Sequence, residues 1–307
     1  MRSISLARQI SLDSVSLERM LQVRQRDLAG YREQLSTGLR VNRPSDDAQS
    51  FSRARKLEVI TNRYDQYEQS IVVAQSWVDH TQDNLNTLAD LFTSAHEEAI
   101  QAANDTLTDE DREAIASSLE SSLAEILDVL NTRVDDEYLF AGTNTTVRPF
   151  EQDGSATADG AGITYYGNDE GRTRAVGPDV NLDVNITGQR ILETGSGFTI
   201  TEAFQGMIDA IRTNDATRID TALGELITAR DHLLDTATEA GNLANRLDRI
   251  NEQLGSARIE FESRRSYYED ADVTEVVLDL NRTETSLQAT LQMMATLQQN
   301  TLLDFLR

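Results

Sequence analysis

The residues best placed to do chemistry are His96 and Glu97, which open like the helical zinc-protease motif. That motif needs a second histidine four positions after the first, and the residue there is Ile100, so the ligand pair cannot form. His80 and His232 stand alone, off the apolar stripes, and read as solvated face residues. Glycines are frequent between Gly154 and Gly171. No P-loop lysine accompanies them and no strand-to-helix pattern follows, so the stretch reads as loop rather than phosphate cradle. The acidic groups Asp109-Glu110-Asp111 and Asp135-Asp136-Glu137 lack the EF-hand ligand spacing with its central glycine, and read as helix-end charge. The Asn144-Thr145-Thr146 sequon is a triplet that arises readily by chance. With no cysteine there is neither a disulfide framework nor thiolate chemistry. The expectation is a protein that is not an enzyme, with no catalytic residue, no metal site and no cofactor.

What the chain carries instead is periodicity. One tract runs Leu57, Ile60, Tyr64, Tyr67, Ile71, Ala74, Val78, Thr81, Leu85, Leu88, Phe92, Ala95, Ala99, Ala102, with Thr81 the single polar residue. A second runs Ile219, Ala222, Leu226, Ala229, Leu233, Thr236, Ala240, Leu243, Leu247, Ile250, Leu254, Ala257, Phe261, again with one threonine. A 3.5-residue repeat sustained this long holds one seam against a partner helix. At 1.5 Å per residue the first helix would be roughly 70 Å long. The sequence therefore predicts a mainly α fold: a long antiparallel coiled-coil helical rod built from both chain ends, with a small β insertion domain in the middle. If the eight large residues of the first seam, leaving out Tyr67 and the alanines, are buried, they contribute on the order of 10 to 20 kcal/mol before ordering costs.

The ends carry thinner stripes. Ile10, Leu17 and Tyr31 share one line, interrupted by Arg24, and Leu21, Leu28 and Leu35 share the next. Near the C-terminus Val273, Val277, Leu280, Leu287, Leu291 and Met294 share a face, followed by the apolar ending Leu302, Leu303, Phe305, Leu306. Arg24, Thr283 and Thr290 sit on or beside these stripes, so two arms alone bury little, and they are expected to order against neighbouring copies. Asn42-Arg43-Pro44 should break the first helix, with Ser45 as the next N-cap and Asp46 and Asp47 in its first turn. Thr108 with Asp111 reads as a capping box for a shorter helix through Ile115, Leu119, Leu123, Ile126 and Leu130, packed back antiparallel on its predecessor. From about Val134 the pattern changes. Leu182, Val184 and Ile186 alternate with polar residues like a half-exposed strand, and Ile163 to Tyr166 with Arg172 to Val176 read as a hairpin across Gly167 to Gly171. Asp215 can cap the second long helix.

Charge narrows the partners. A net charge of −24 opposes binding to phosphate surfaces, so neither nucleic acid nor membrane is expected as a partner. Lys56 is the one lysine, so nearly all positive charge is arginine, suited to forked pairing with carboxylates. No apolar run approaches a membrane span, and residues 1–15 lack the core of a secretory signal. Taken alone these features read as soluble and cytoplasmic.

Several blocks, in order, resemble one family. Gln34-Leu35-Ser36-Thr37-Gly38-Leu39-Arg40-Val41-Asn42 followed by Pro44-Ser45-Asp46-Asp47-Ala48 is similar to the N-terminal signature of bacterial flagellins and their hook-associated relatives, and Gln101-Ala102-Ala103-Asn104 to a second block. Asn245-Arg246-Leu247, Glu284-Thr285-Ser286-Leu287-Gln288-Ala289 and the ending Leu302-Leu303-Asp304-Phe305-Leu306 resemble the C-terminal region. Tyr138-Leu139-Phe140-Ala141-Gly142-Thr143 and the small insertion are closer to the hook-associated branch than to filament subunits. The resemblance implies a structural adapter at the junction of hook and filament. Its implied partners are other copies of itself, the hook-side junction protein and flagellin, with a possible export chaperone on the C-terminal helix. It also implies type III export without a cleaved signal and an extracellular place on the flagellum, overriding the cytoplasmic reading. Residues 1–42 with 270–307 would be inner-tube helices, 43–144 with 198–269 the helical rod, and 145–197 an outward β-rich domain. The 15 positions implied as assembly interface are Ile10, Leu17, Leu21, Leu28, Leu35, Val273, Val277, Leu280, Leu287, Leu291, Met294, Leu302, Leu303, Phe305 and Leu306.

The family's receptor-read segment is Arg-rich before the Gln-Ala-Ala-Asn block. Here it is Phe92-Thr93-Ser94-Ala95-His96-Glu97-Glu98, so receptor recognition is not carried over. Three alternatives stay open: a filament flagellin, a stalked glycan-binding module using Tyr138, Tyr165 and Tyr166, and a signalling coiled coil.

Overall fold

The computed structural model describes residues 2–104, 106–152 and 163–305, with side chains from 17 to 296 within those ranges. In chain order the elements are α1 (Arg2–Thr37), α2 (Ala48–Ala102), α3 (Asp109–Leu130), β1 (Arg133–Val134), β2 (Glu137–Tyr138), β3 (Phe150–Gln152), β4 (Ile163–Tyr165), β5 (Thr173–Gly177), β6 (Val180–Asp183), α4 (Gly188–Leu192), α5 (Ile200–Thr213), α6 (Ala216–Glu269) and α7 (Val273–Phe305). They form two compact units. A terminal unit comprises Met1–Arg63 with Ala257–Arg307, and a central unit comprises Tyr64–Ser256. The divisions fall inside α2 and α6, not at the helix breaks, and residues 145–197 belong to the central unit.

Both long tracts form helices, and in the central unit their pairing is a heptad register. Glu68 lies by Gly255, Gln75 donates to Asp248, and Gln82 lies by Gly241. Each step is one heptad forward along α2 and one back along α6, so the two helices run antiparallel. Burial along the first seam is uneven. Ile71, Val78, Leu85, Leu88 and Phe92 are dry, whereas Leu57, Ile60 and Tyr64 are half-buried. The seam threonines Thr81 and Thr236 are also dry, each hydroxyl donating to the carbonyl four residues earlier, Trp77 O at 2.9 Å and His232 O at 2.8 Å. That internal bond lets a polar residue occupy an apolar seam.

The short helices complete the central core. Thr108 and Asp111 form the expected capping box on α3. At one end of α3, Arg112 Nη1 donates to Ala102 O at the C-terminus of α2 (3.2 Å), and at the other Thr132 Oγ1 donates to Asn84 Oδ1 (2.9 Å). The helix therefore runs back along its predecessor, as its pattern predicts. A helix that the periodicity reading omits, α5, is held by a second capping box, Thr199 with Glu202. Its Phe204 meets Phe92 edge to face at 5.3 Å, and its Arg212 bridges Glu113 and Glu120 of α3 at 3.0 and 2.6 Å. Asp215 caps α6 as expected, accepting from Thr217 N and Arg218 N.

Several local expectations are corrected. The first helix ends at Thr37, because Gly38 takes a left-handed conformation (φ 73°), five residues before the proline signal. Asp47, not Ser45, caps α2 by accepting from Gln49 N and Ser50 N; hydrogen bonding by the Ser50 side chain first, then by its backbone, holds the Asp47 carboxyl below the usual carboxylate range. The hairpin is paired differently. Ile163–Tyr165 pairs with Phe150–Gln152, and Thr173–Gly177 with Val180–Asp183, so residues 163–166 and 172–176 belong to separate sheets. His232 is not a bare surface residue, since its Nε2 lies 2.9 Å from the Arg190 carbonyl.

Candidate assembly interface

The two arms meet through α1 and α7. Along α1 the inward positions are Leu17, Leu21, Arg24, Leu28, Tyr31 and Leu35, spaced four and three residues apart in turn, with Leu28 buried and the others half-buried. Along α7 they are Val276, Leu280, Thr283, Leu287, Thr290 and Met294, on the same alternation. Val276, Thr283 and Thr290 are the buried members, 6 to 7% exposed, and Leu280, Leu287 and Met294 are half-buried. Among the described residues of α7, two of the three best-sheltered positions are therefore threonines. Thr290 Oγ1 resolves its polarity as the long seams do, donating to Ser286 O at 2.8 Å. Arg24 occupies the seam with its charge directed to Asp27 at 3.8 Å, and Arg32 reaches Glu284 at 3.1 Å across the pair.

A backbone clasp fixes the antiparallel sense. Where α1 ends and α7 begins, Arg40 N and Val41 N donate to Glu269 O (2.7 and 3.2 Å), Ala271 N donates to Gly38 O (2.9 Å), and Arg40 Nη2 donates to Tyr268 O. The opening signature block thus does identifiable work. Gly38 turns the chain, Val41 is buried, and Asp46 Oδ2 accepts from Asn42 N and Arg43 N.

The expected interface residues divide between the two faces. Leu17, Leu21, Leu28, Leu35, Leu280, Leu287 and Met294 pack within the arm pair. Val273, Val277 and Leu291 do not: they are 56, 39 and 48% exposed, and Leu278 and Met293 are exposed elsewhere around α7. Along α7 an open groove is lined by Leu278, Asn281, Arg282, Thr285, Ser286 and Ala289. On α1, Met20 and Val23 are likewise exposed. Ile10, Leu302, Leu303, Phe305 and Leu306 lie outside the residues whose side chains are described. Val276 is the buried position that the sequence pattern leaves out; Thr283 and Thr290, placed on or beside the stripe, follow it at one-heptad steps.

The central motif at Tyr138 to Thr143 is a packed knot. Leu139, Phe140 and Ala141 are fully buried. Phe140 O accepts from Gly188 N (2.9 Å) and from Tyr165 Oη (3.0 Å), while Thr143 N donates to Asn168 Oδ1 (2.8 Å). Gly142 is left-handed at φ 71°, and a Cβ there would stand 2.1 Å from Asn168 Oδ1. A Cβ at Gly188 would stand 2.4 Å from the Tyr165 ring. Burial pushes the Tyr165 phenol up to about 12, and its ring lies 5.1 Å from that of Phe150. Tyr165 is thus a core residue, and Tyr138 lies beneath the Arg133 guanidinium, which leaves Tyr166 as the open ring of the three. Among the described residues no helix is long and apolar enough to cross a membrane. No group of three or more His, Asp and Glu converges among them to hold a metal.

Residues 11–145 match the bacterial flagellin N-terminal helical region and residues 220–306 the C-terminal helical region. The chain is 27% identical over 225 residues to flagellar hook-associated protein 3 of Escherichia coli (strain K12), covering 73% of this chain and 67% of that protein. It is 30% identical over 163 residues to flagellar hook-associated protein 3 of Salmonella typhimurium, covering 53% of this chain and 49% of that protein. The chain thus spans about half to two thirds of these relatives. In fold it is similar to a flagellar hook-associated protein of Vibrio parahaemolyticus, with TM-score 0.67 at 22% identity, covering 73% of this chain and 99% of that one.

Proposed function

The chain belongs to the bacterial flagellin family, and from that membership we propose that it is the adapter between hook and filament, a structural part of the flagellum that assembles through its terminal helices. Support for the junction comes from the two hook-associated relatives and from the resemblance of Tyr138 to Thr143 to the hook-associated branch. The observation that carries the assembly reading is the thinness of the arm pair: among the described seam positions it buries Leu28, Val276, Thr283 and Thr290, while Val273, Val277, Leu278, Leu291 and Met293 of α7 remain exposed. A seam this thin gains from further burial against neighbouring subunits.

On this reading the partners are copies of the chain itself, the hook-side junction protein and flagellin, with an export chaperone able to cover α7 beforehand. The chain leaves the cell by the flagellar type III route and acts outside it, as a structural rather than catalytic component. Removal of residues 273–307 tests the assembly role. It takes away α7 while leaving the central unit's own elements in place, and incorporation into flagella should be lost. Normal flagella carrying the shortened chain would refute the role.

A further inference from the structure

Trp77 is the only tryptophan of the chain and lies on α2 with 6% of its surface exposed. The guanidinium of Arg172, the residue before β5, stacks on it with Cζ 4.5 Å from the ring centre. The same guanidinium is paired, its Nη2 lying 2.6 Å from Glu137 Oε2 in β2. Glu137 Oε1 in turn accepts from Thr145 Oγ1 at 3.2 Å. Backbone bonds fix Arg172 in place, its N donating to Asn185 Oδ1 (2.6 Å) and its O accepting from Val184 N (3.1 Å). A helix and two separate parts of the β segment thus meet at one stack, all within the central unit.

Two donors in this joint are left over. Trp77 Nε1 and Arg172 Nη1 are both closed off from solvent, and neither finds an acceptor among the described residues. Indole and guanidinium N–H groups donate and never accept, so the two cannot satisfy each other. A buried donor left unmade is costly, and more so when it is charged. The place calls for an acceptor with two lone pairs, and for a neutral one. Glu137 already matches the charge of Arg172, so an anion would bring uncompensated charge beside a carboxylate in a chain of net charge −24. A water oxygen about 3 Å from each nitrogen serves both donors.

We propose that Trp77 and Arg172 hold one water molecule between them, a fixed component of the joint that fastens the β segment to α2. The site takes a neutral acceptor and refuses anions. It is independent of the assembly reading above and stands or falls separately.

The test uses the full chain in solution. With one tryptophan, the indole N–H gives a single signal in a nitrogen-edited NMR spectrum of the deuterated protein. That proton should show a cross-peak to water whose sign reverses between laboratory-frame and rotating-frame experiments, the mark of a bound molecule rather than of proton exchange. Thr145→Val removes the hydroxyl on Glu137 and should keep the cross-peak, whereas Arg172→Met removes one of the two donors and should lose it. The indole signal should stay in place when sodium chloride is exchanged for sodium sulfate at equal ionic strength. Should either variant fail to fold, the unaltered chain decides. A folded chain without the water cross-peak, its loss in folded Thr145→Val, or its persistence in folded Arg172→Met overturns the site. An indole shift that follows chloride gives the place to an anion and overturns it equally.

Discussion

At the scale of residues, the central knot makes the sharpest predictions. Gly142→Ala forces a side chain into a left-handed backbone and against Asn168, and should cost about 2 kcal/mol or more, read as a lowered urea midpoint. Tyr165 gives a pH dependence. Folding raises its phenol from 10.0 to about 12, so the folded state keeps a proton that the unfolded chain releases. Its contribution to stability is complete below pH about 10 and lost as pH rises toward 12. Tyr165→Phe should flatten that alkaline fall while lowering neutral-pH stability by leaving Phe140 O and Asn168 O one donor short. Unfolding curves at pH 7 and pH 11 check both. The sequence showed Tyr138 to Thr143 as a family block but not why it exists. Its partners, Asn168 and Gly188, stand 25 or more positions away, and no local pattern announces such contacts.

Among elements, the long seams were legible because a 3.5-residue repeat leaves its mark at every turn, and the register of α2 on α6 follows it. Phe92→Ala should therefore cost about 3 to 5 kcal/mol, since Phe92 is fully buried against Phe204. The arms are the contrasting case. Their pair shelters only Leu28, Val276, Thr283 and Thr290 among the described seam positions, so amide hydrogen exchange on dilute protomers should show weak protection over residues 17–35 and 280–294. Thr283→Val with Thr290→Val, which removes hydroxyls from sheltered sites while keeping their shape, should raise that protection. An unchanged exchange rate in the double variant would mean that the threonine line does not limit the pair. The β segment was poorly legible. Strands of two to five residues carry too few alternations to specify a partner, and the choice of Phe150–Gln152 over Thr173–Gly177 was made by Phe150, which stacks on Tyr165 and exchanges two hydrogen bonds with Asn131. The omitted α5 did have a signal: Thr199 and Glu202 in capping-box spacing ahead of Phe204, Met207, Ile208 and Ile211.

For the whole molecule, the periodicity points toward a subunit that works by packing. The division into units was not legible, because α2 and α6 cross it without a break. It also changes which deletion is informative. Phe150, Val176, Leu182, Val184 and Ile191 are buried in the central core, so removing residues 150–195 should unfold the central unit rather than leave a trimmed adapter. Antibody labelling of intact flagella decides whether the chain sits at the junction. A single labelled band should appear where hook meets filament. Label distributed along the filament would make the chain a bulk flagellin, and flagella without label would contradict the account outright.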